Sequence, residues 1–171
     1  TYYHDASGTL DLMHLGAYFD PGMECNLPEN LNEHSREELE AIFDEPFGDT
    51  ASGCRIIKSH VFANHIDFIR ATWPDAPIVL VHRGDDACLG WWVKCGHFTI
   101  TYPLYHEYYR DLRHMAGIIK QQNENILKAW WAYDGHYVTD NLQLAAALNI
   151  ETPPQPYRQD YVVSDVRVKV I

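Results

Sequence analysis

"CRIIKSH", residues 54–60, and "IVLVHRGDDACLGWW", residues 78–92, decide how this chain is read. In each, a short apolar run stops abruptly at cations. Arg55-Ile56-Ile57 ends at Lys58-Ser59-His60, and Ile78-Val79-Leu80-Val81 ends at His82-Arg83. A β-branched apolar run this short reads as a strand buried on both faces. Between the two, Asn64 can cap a helix over His65 to Thr72, which Trp73-Pro74-Asp75 ends. Strand, helix and strand at this spacing have the length of a right-handed parallel crossover. Parallel neighbours open their carboxyl ends on one edge of the sheet, the edge where open α/β sheets bind ligands. Lys58, His60 and Arg83 are therefore expected to converge on one crevice that suits an anion. The fold expected is three-layer α/β/α around a central, mostly parallel sheet.

Working outward, Tyr2, Tyr3, Leu10, Met13, His14 and Ala17 suit a helix with an inward apolar stripe, and residues 20–34 are loop-like. Ser35-Arg36-Glu37-Glu38 is a capping box opening a short helix to about Asp44, before Pro46 and Gly48 stop it. On the other side, Asp85 and Asp86 lie where a helix N-terminus favours negative charge. Residues 104–128 carry a long amphipathic pattern, "AWWAY" at 129–133 reads as a third strand, and Asn141 to Leu148 as a helix after a Thr139 cap. Thr152-Pro153-Pro154 breaks the chain, and "YVVSDVRVKVI" alternates like an edge strand within a C-terminal arm, 154–171.

The 171 residues are most simply one domain, and 46% hydrophobic content is ordinary for a globular chain. No apolar stretch reaches the length of a membrane span and no signal-peptide pattern opens the sequence, so no membrane partner and a cytoplasmic location are expected. Four cysteines without a CxxC pair read as free thiols in a reducing compartment. Thirteen Lys and Arg against 24 Asp and Glu, net charge -11, exclude a general nucleic-acid binder. The ten histidines show neither HExxH nor a Cys/His cluster, and no metal site is expected.

The block "RIIKSH", then a helix, then "WPDAPIVLVHRGDDACLGWWVKCGHF" resembles the centre of the sulfotransferases. Those enzymes have a strand ending in Lys-Thr/Ser-His and, about two dozen residues on, a strand ending in Arg before a helix with an aromatic doublet. "WWAYDGHYVTDNLQLAAALNIETP", residues 130–153, is similar to their strand ending in Tyr-Glu-Asp and the helix after it. The likeness spans about residues 54–153, in consistent order. It implies a P-loop-type fold that transfers a sulfuryl group from 3'-phosphoadenosine-5'-phosphosulfate to a hydroxyl or amine. His60 would be the general base, Lys58 would lie near the transferring group, and Arg83 would hold the 3'-phosphate. Each role suits its side chain: imidazole titrates near neutrality, and Lys or Arg stabilises charge on sulfate or phosphate oxygens.

Two positions depart from that pattern. Gly90, allowing a one-residue deletion, stands where the family has a serine that shares the 3'-phosphate. "ASGTLD" at 6–11 echoes the family's phosphate loop but has no strand before it, and the 171 residues are expected to lack that loop and its strand.

Other readings of the same residues are simpler. Arg83 equally suits a structural role, pairing with Asp85 or Asp86. Trp91, Trp92, Trp130 and Trp131 are more often core than ligand stackers, although one of Trp91 and Trp92 can line an acceptor pocket. Arg110 and Arg113 lie one helical turn apart and suit a phosphate clamp or, more often, a solvated face. A small-molecule or nucleotide kinase, and a non-catalytic nucleotide-binding or structural module, are the alternative functions.

Overall fold

The computed structural model describes residues 17–19, 25–28, 30–50, 55–95, 110–149 and 166–171. The chain divides into two compact units, residues 1–72 and 73–171.

In the first unit, β1 (Ala17–Tyr18) and β2 (Ile57–Lys58) pair in parallel, with Ala17 opposite Ile57 and Tyr18 opposite Lys58. The Ala17 N–H donates to the Ile56 carbonyl at 2.8 Å and the Phe19 N–H to the Lys58 carbonyl at 2.7 Å. α1 (Arg36–Asp44) begins at the expected capping box: Ser35 Oγ accepts from the Glu38 N–H at 3.2 Å, and the Ser35 N–H donates to Glu38 Oε2 at 2.8 Å. α1 turns Leu39 and Phe43 inward. The Phe43 ring meets Phe19 edge-on at 5.2 Å between centroids and Phe62 at 5.9 Å. Phe19, Leu27, Leu31, Leu39 and Ile66 fill the rest of this core, each such side chain contributing about 1.5–3 kcal/mol of apolar burial. An Arg55–Asp44 ion pair ties the chain entering β2 to the end of α1. A 3-10 turn, Val61–Asn64, leads into α2 (Ile66–Thr72).

The second unit holds β3 (Val79–His82), α3 (Asp85–Cys95), α4 (Leu112–Ala132), β4 (His136–Val138), α5 (Asn141–Ala147) and β5 (Arg167–Val170). The sheet order is β3-β5-β4, with β5 antiparallel to both neighbours. β3 and β4 therefore run in the same direction without bonding to each other. Leu80, Met115, Ile119, Val138, Ala145 and Val170 form the apolar core. Lys169 is buried among them, and its Nζ donates to the backbone carbonyls of Trp130 at 2.5 Å and of Tyr133. A strand-borne ammonium thus satisfies carbonyls that the end of α4 leaves open.

The mixed α/β class is present, but several expectations need correction. The strands ending in Lys58 and His82 are not parallel neighbours. β2 takes its ladder from β1, and β3 takes its ladder from β5 in a separate, antiparallel sheet. Ala17 belongs to a strand rather than a helix, because its N–H is committed to Ile56 across the β1–β2 ladder. The stretch read as a third strand at 129–133 falls instead on the last turn of α4 and its C-cap, Tyr133. Met115, Ile119, Gln122 and Ala129 are buried at helical spacing, and that period carries through the two tryptophans. Asp140, not Thr139, caps α5, its Oδ1 accepting from the Gln143 N–H at 2.9 Å. β5 is a central strand, not an edge. The expected N-terminal phosphate-loop region, residues 1–16, and the arm over 154–165 lie outside the described residues.

Candidate active site

Lys58, Ser59 and His60 occupy the carboxyl end of β2, beside the carboxyl end of β1. Tyr18 stands directly opposite Lys58 in the ladder. Past the strand, Ser59 Oγ accepts the Val61 N–H at 3.1 Å, and the His60 carbonyl accepts from the Ala63 N–H at 3.2 Å. These two bonds bend the chain out of the sheet direction at His60, whose backbone is α-like at φ -71, ψ -25. The bend carries the imidazole back over the strand ends. Its Nδ1 lies 2.6 Å from the Tyr18 hydroxyl, and the two rings stack at 6.1 Å between centroids.

Lys58 is part-buried, and the loss of hydration holds its ammonium below the ordinary value of 10.5. A partly desolvated cation interacts more strongly with an approaching anion than one in bulk water does. One cation, one imidazole and one phenol are therefore gathered on the open edge of a parallel ladder. Tyr18 and the turn-forming role of Ser59 went unforeseen. The signal for Tyr18, a β1 register that pairs it with Lys58, exists only once the ladder is known.

Arg83, Gly90, Trp91 and Trp92 belong to the second unit. Arg83 follows β3, and its backbone is clamped: the Arg83 carbonyl accepts from Asn123 Nδ2 at 2.7 Å and from the Cys88 thiol at 3.5 Å. The same Asn123 amide donates to Asp85 Oδ1 at 2.6 Å. Burial pushes the Cys88 thiol up, against the nearby Arg83 charge, with smaller effects of Asp85 upward and Asn123 downward. Among the described residues, Arg83 forms no ion pair with Asp85 or Asp86. Its guanidinium carbon lies 5.7 Å from the centroid of the Trp91 ring, and its Nε is buried without a hydrogen-bond partner among the described residues. An Arg beside an indole, with its Nε donor unspent among the described residues, is suited to an oxyanion. Trp91 thus supports Arg83, and Trp92 is part-buried on the same helix. Gly90 is exposed on α3, and a Cβ added there would meet nothing within 4 Å. A small side chain at this position would therefore fit without a clash.

Arg110 and Arg113 are exposed, Arg110 reaching Asp111 at 3.4 Å, and they match the solvated face. Trp131, expected in a core, is 90% exposed at the rim of a cavity of about 420 Å³ whose lining includes His82, Trp130, Tyr137 and Arg167. Trp130 Nε1–H donates to the Tyr137 hydroxyl at 2.9 Å on its wall. Nothing in the pattern of the sequence distinguishes Trp131 from its inward neighbour.

Comparison with family models, with curated proteins and with solved structures gives no match to this chain. Among the described residues, no helix is long and apolar enough to cross a membrane.

Proposed function

We propose that the protein is a sulfotransferase-like enzyme that moves a sulfuryl group from 3'-phosphoadenosine-5'-phosphosulfate to a hydroxyl or amine. The observation that carries this reading is the strand-end Lys58-Ser59-His60, in which the serine bends the chain and the histidine is held by a second side chain. Such an arrangement supplies a base and a cation side by side. In the proposed reaction His60 takes the proton of the acceptor hydroxyl as its oxygen bonds to sulfur. The bond from sulfur to the bridging oxygen breaks, and that oxygen leaves on the 5'-phosphate of adenosine 3',5'-bisphosphate. Lys58 stabilises the charge that grows on the leaving oxygen. The resemblance to the sulfotransferases assigns the 3'-phosphate to Arg83, whose guanidinium carbon lies 5.7 Å from the Trp91 ring centroid.

The reading carries with it a layered, mostly parallel sheet of P-loop type. The parallel β1–β2 ladder supports it; both ladders of the second unit's sheet are antiparallel. The free thiols Cys25 and Cys88 suit a reducing, cytoplasmic setting.

The test uses labelled donor with a panel of phenols, sugars and nucleosides as acceptors. His60→Ala is expected to lower turnover by roughly 10²- to 10⁴-fold, the usual share of a general base, while bisphosphate affinity changes little. Arg83→Ala is expected to weaken bisphosphate binding. Unchanged turnover in the first variant, or unchanged affinity in the second, overturns the respective role. Gly90 favours a second reading, a module that binds the bisphosphate without turnover, because it offers no side chain where the resemblance calls for serine. Tight bisphosphate binding with no acceptor used selects that reading.

A further inference from the structure

Asp85 and Asp86 follow Arg83 closely in the chain, and an ion pair with either would occupy its guanidinium. Among the described residues neither pair forms, and Arg83 Nε is buried without a partner. The reason lies on α4, which packs against both β3 and α3. Asn123, buried on that helix, directs one side-chain nitrogen at two oxygens: the Arg83 carbonyl at 2.7 Å and Asp85 Oδ1 at 2.6 Å. Chemistry fixes the sense of both bonds. A carbonyl and a carboxylate accept and do not donate, so the nitrogen is the amide NH2, with one hydrogen for each oxygen.

We infer that Asn123 is a positioning residue for Arg83: by engaging Asp85 it keeps that carboxylate off the guanidinium and leaves Arg83 available to an anion. This rests on the proposed role of Arg83 toward the 3'-phosphate. Three features of the second unit carry it. First, one nitrogen holds both oxygens, so the Asp85 carboxylate is tied to the Arg83 backbone and not to its side chain. Second, the guanidinium carbon lies instead 5.7 Å from the Trp91 ring centroid. Third, Asn123 is buried whereas Asp85 is exposed. A hydrogen bond from a sheltered donor to a charged group is worth more than an ion pair screened by solvent, so Asp85 favours the amide over the arginine. Asp86, exposed on the same turn, has no bond to Arg83 either. In a chain with 24 acidic side chains against 13 Lys and Arg, a cation meant for a ligand needs its neighbouring carboxylate occupied elsewhere. A neutral amide does this without placing a competing cation beside Arg83.

The experiment is a double-mutant cycle read by calorimetric titration of the intact protein with adenosine 3',5'-bisphosphate. Asn123→Ala releases Asp85 and is expected to weaken binding by roughly two- to fivefold, the reach of one exposed ion pair competing for Arg83. Asp85→Asn alone is expected to change affinity less. In the Asn123→Ala background the same Asp85→Asn change is expected to restore wild-type affinity, a rescue that a purely structural amide would not give. Wild-type affinity in Asn123→Ala overturns the inference, and so does weakened binding that Asp85→Asn fails to restore. Should Asn123→Ala not fold, Asp85→Glu keeps the buried amide and lengthens the carboxylate past it. The same weakening is then expected, and unchanged affinity overturns the inference. Arg83→Ala separates the two levels of the argument. If it binds the bisphosphate as tightly as wild type, the role proposed for Arg83 falls and this inference falls with it. If it binds more weakly while Asn123→Ala does not, only the role of Asn123 is lost.

Discussion

Gly135, in the short link between α4 and β4, has no room to become anything else. A Cβ added there would collide with the Val170 carbonyl oxygen and the Ile171 side chain. The obstacle is backbone of β5, not the far end of a flexible side chain, so β4 would have to move off its ladder with β5. Gly135→Ala is therefore expected to destabilise the protein by about 1–3 kcal/mol, the range for overpacked sites. Urea unfolding checks this, and a midpoint equal to wild type would sink it. The neighbouring ladder residue Lys169 shows how a single residue can mislead a reading from pattern. In "RVKV" the alternation points Lys169 outward, yet it is buried, because open carbonyls at the end of α4 offer its ammonium two acceptors. No feature of the residue's own surroundings in sequence announces those acceptors.

At the scale of elements, α3 carries a glycine that costs it stability. Gly90 is exposed in mid-helix with open space around it. Gly90→Ala is expected to raise stability by about 0.5–1 kcal/mol, and a lowered denaturation midpoint would contradict it. On the proposed sulfotransferase-like reading, Gly90→Ser adds a hydroxyl to the phosphate site, and tighter bisphosphate binding is expected with it. What was legible here follows from how local each signal is. The capping box at Ser35 and the acidic start of α3 are written within four residues, and both formed as read. β1 is two residues long, too short to show a period, and its parallel partner lies far along the chain. The tryptophans after Ala129 favour strands in isolation, but the buried repeat of α4 overrides them. Lys58 and His60 were legible as a pair because they share one strand end. Tyr18 and Asn123 were not, because only tertiary pairing brings them to the residues they hold.

For the whole molecule, each unit holds a histidine that folding makes harder to charge. Burial holds His65 below the ordinary value of 6.5. Burial first, then the Arg167 charge, lower His82, with Asp85 opposing. A histidine depressed in the folded state binds fewer protons than in the unfolded chain. Its contribution is therefore complete above 6.5 and is lost as pH falls from that value through the lowered folded one. Melting temperature is expected to drop as pH falls below 6.5, and the drop should shrink when His65→Gln and His82→Gln are combined. A flat profile in wild type would overturn this. The carboxylates that cap α1 and α4, Glu38 and Asp111, are lowered chiefly by backbone N–H bonds and add a separate loss at more acid pH.

The place of β5 between β3 and β4 also sets the order in which the second unit can assemble. β3 and β4 share no ladder, and each depends on β5, the last of the three in sequence. A chain emerging from the ribosome presents both strands with their edges bare until residues 167–170 follow. Helical segments such as α4 can form earlier from local contacts, but the sheet must wait for its centre. That delay gives this unit a high contact order and a slow closing step. Over the same interval the valine-rich β3 is open to pairing with the wrong chain, a hazard that ends only when the final strand slots in.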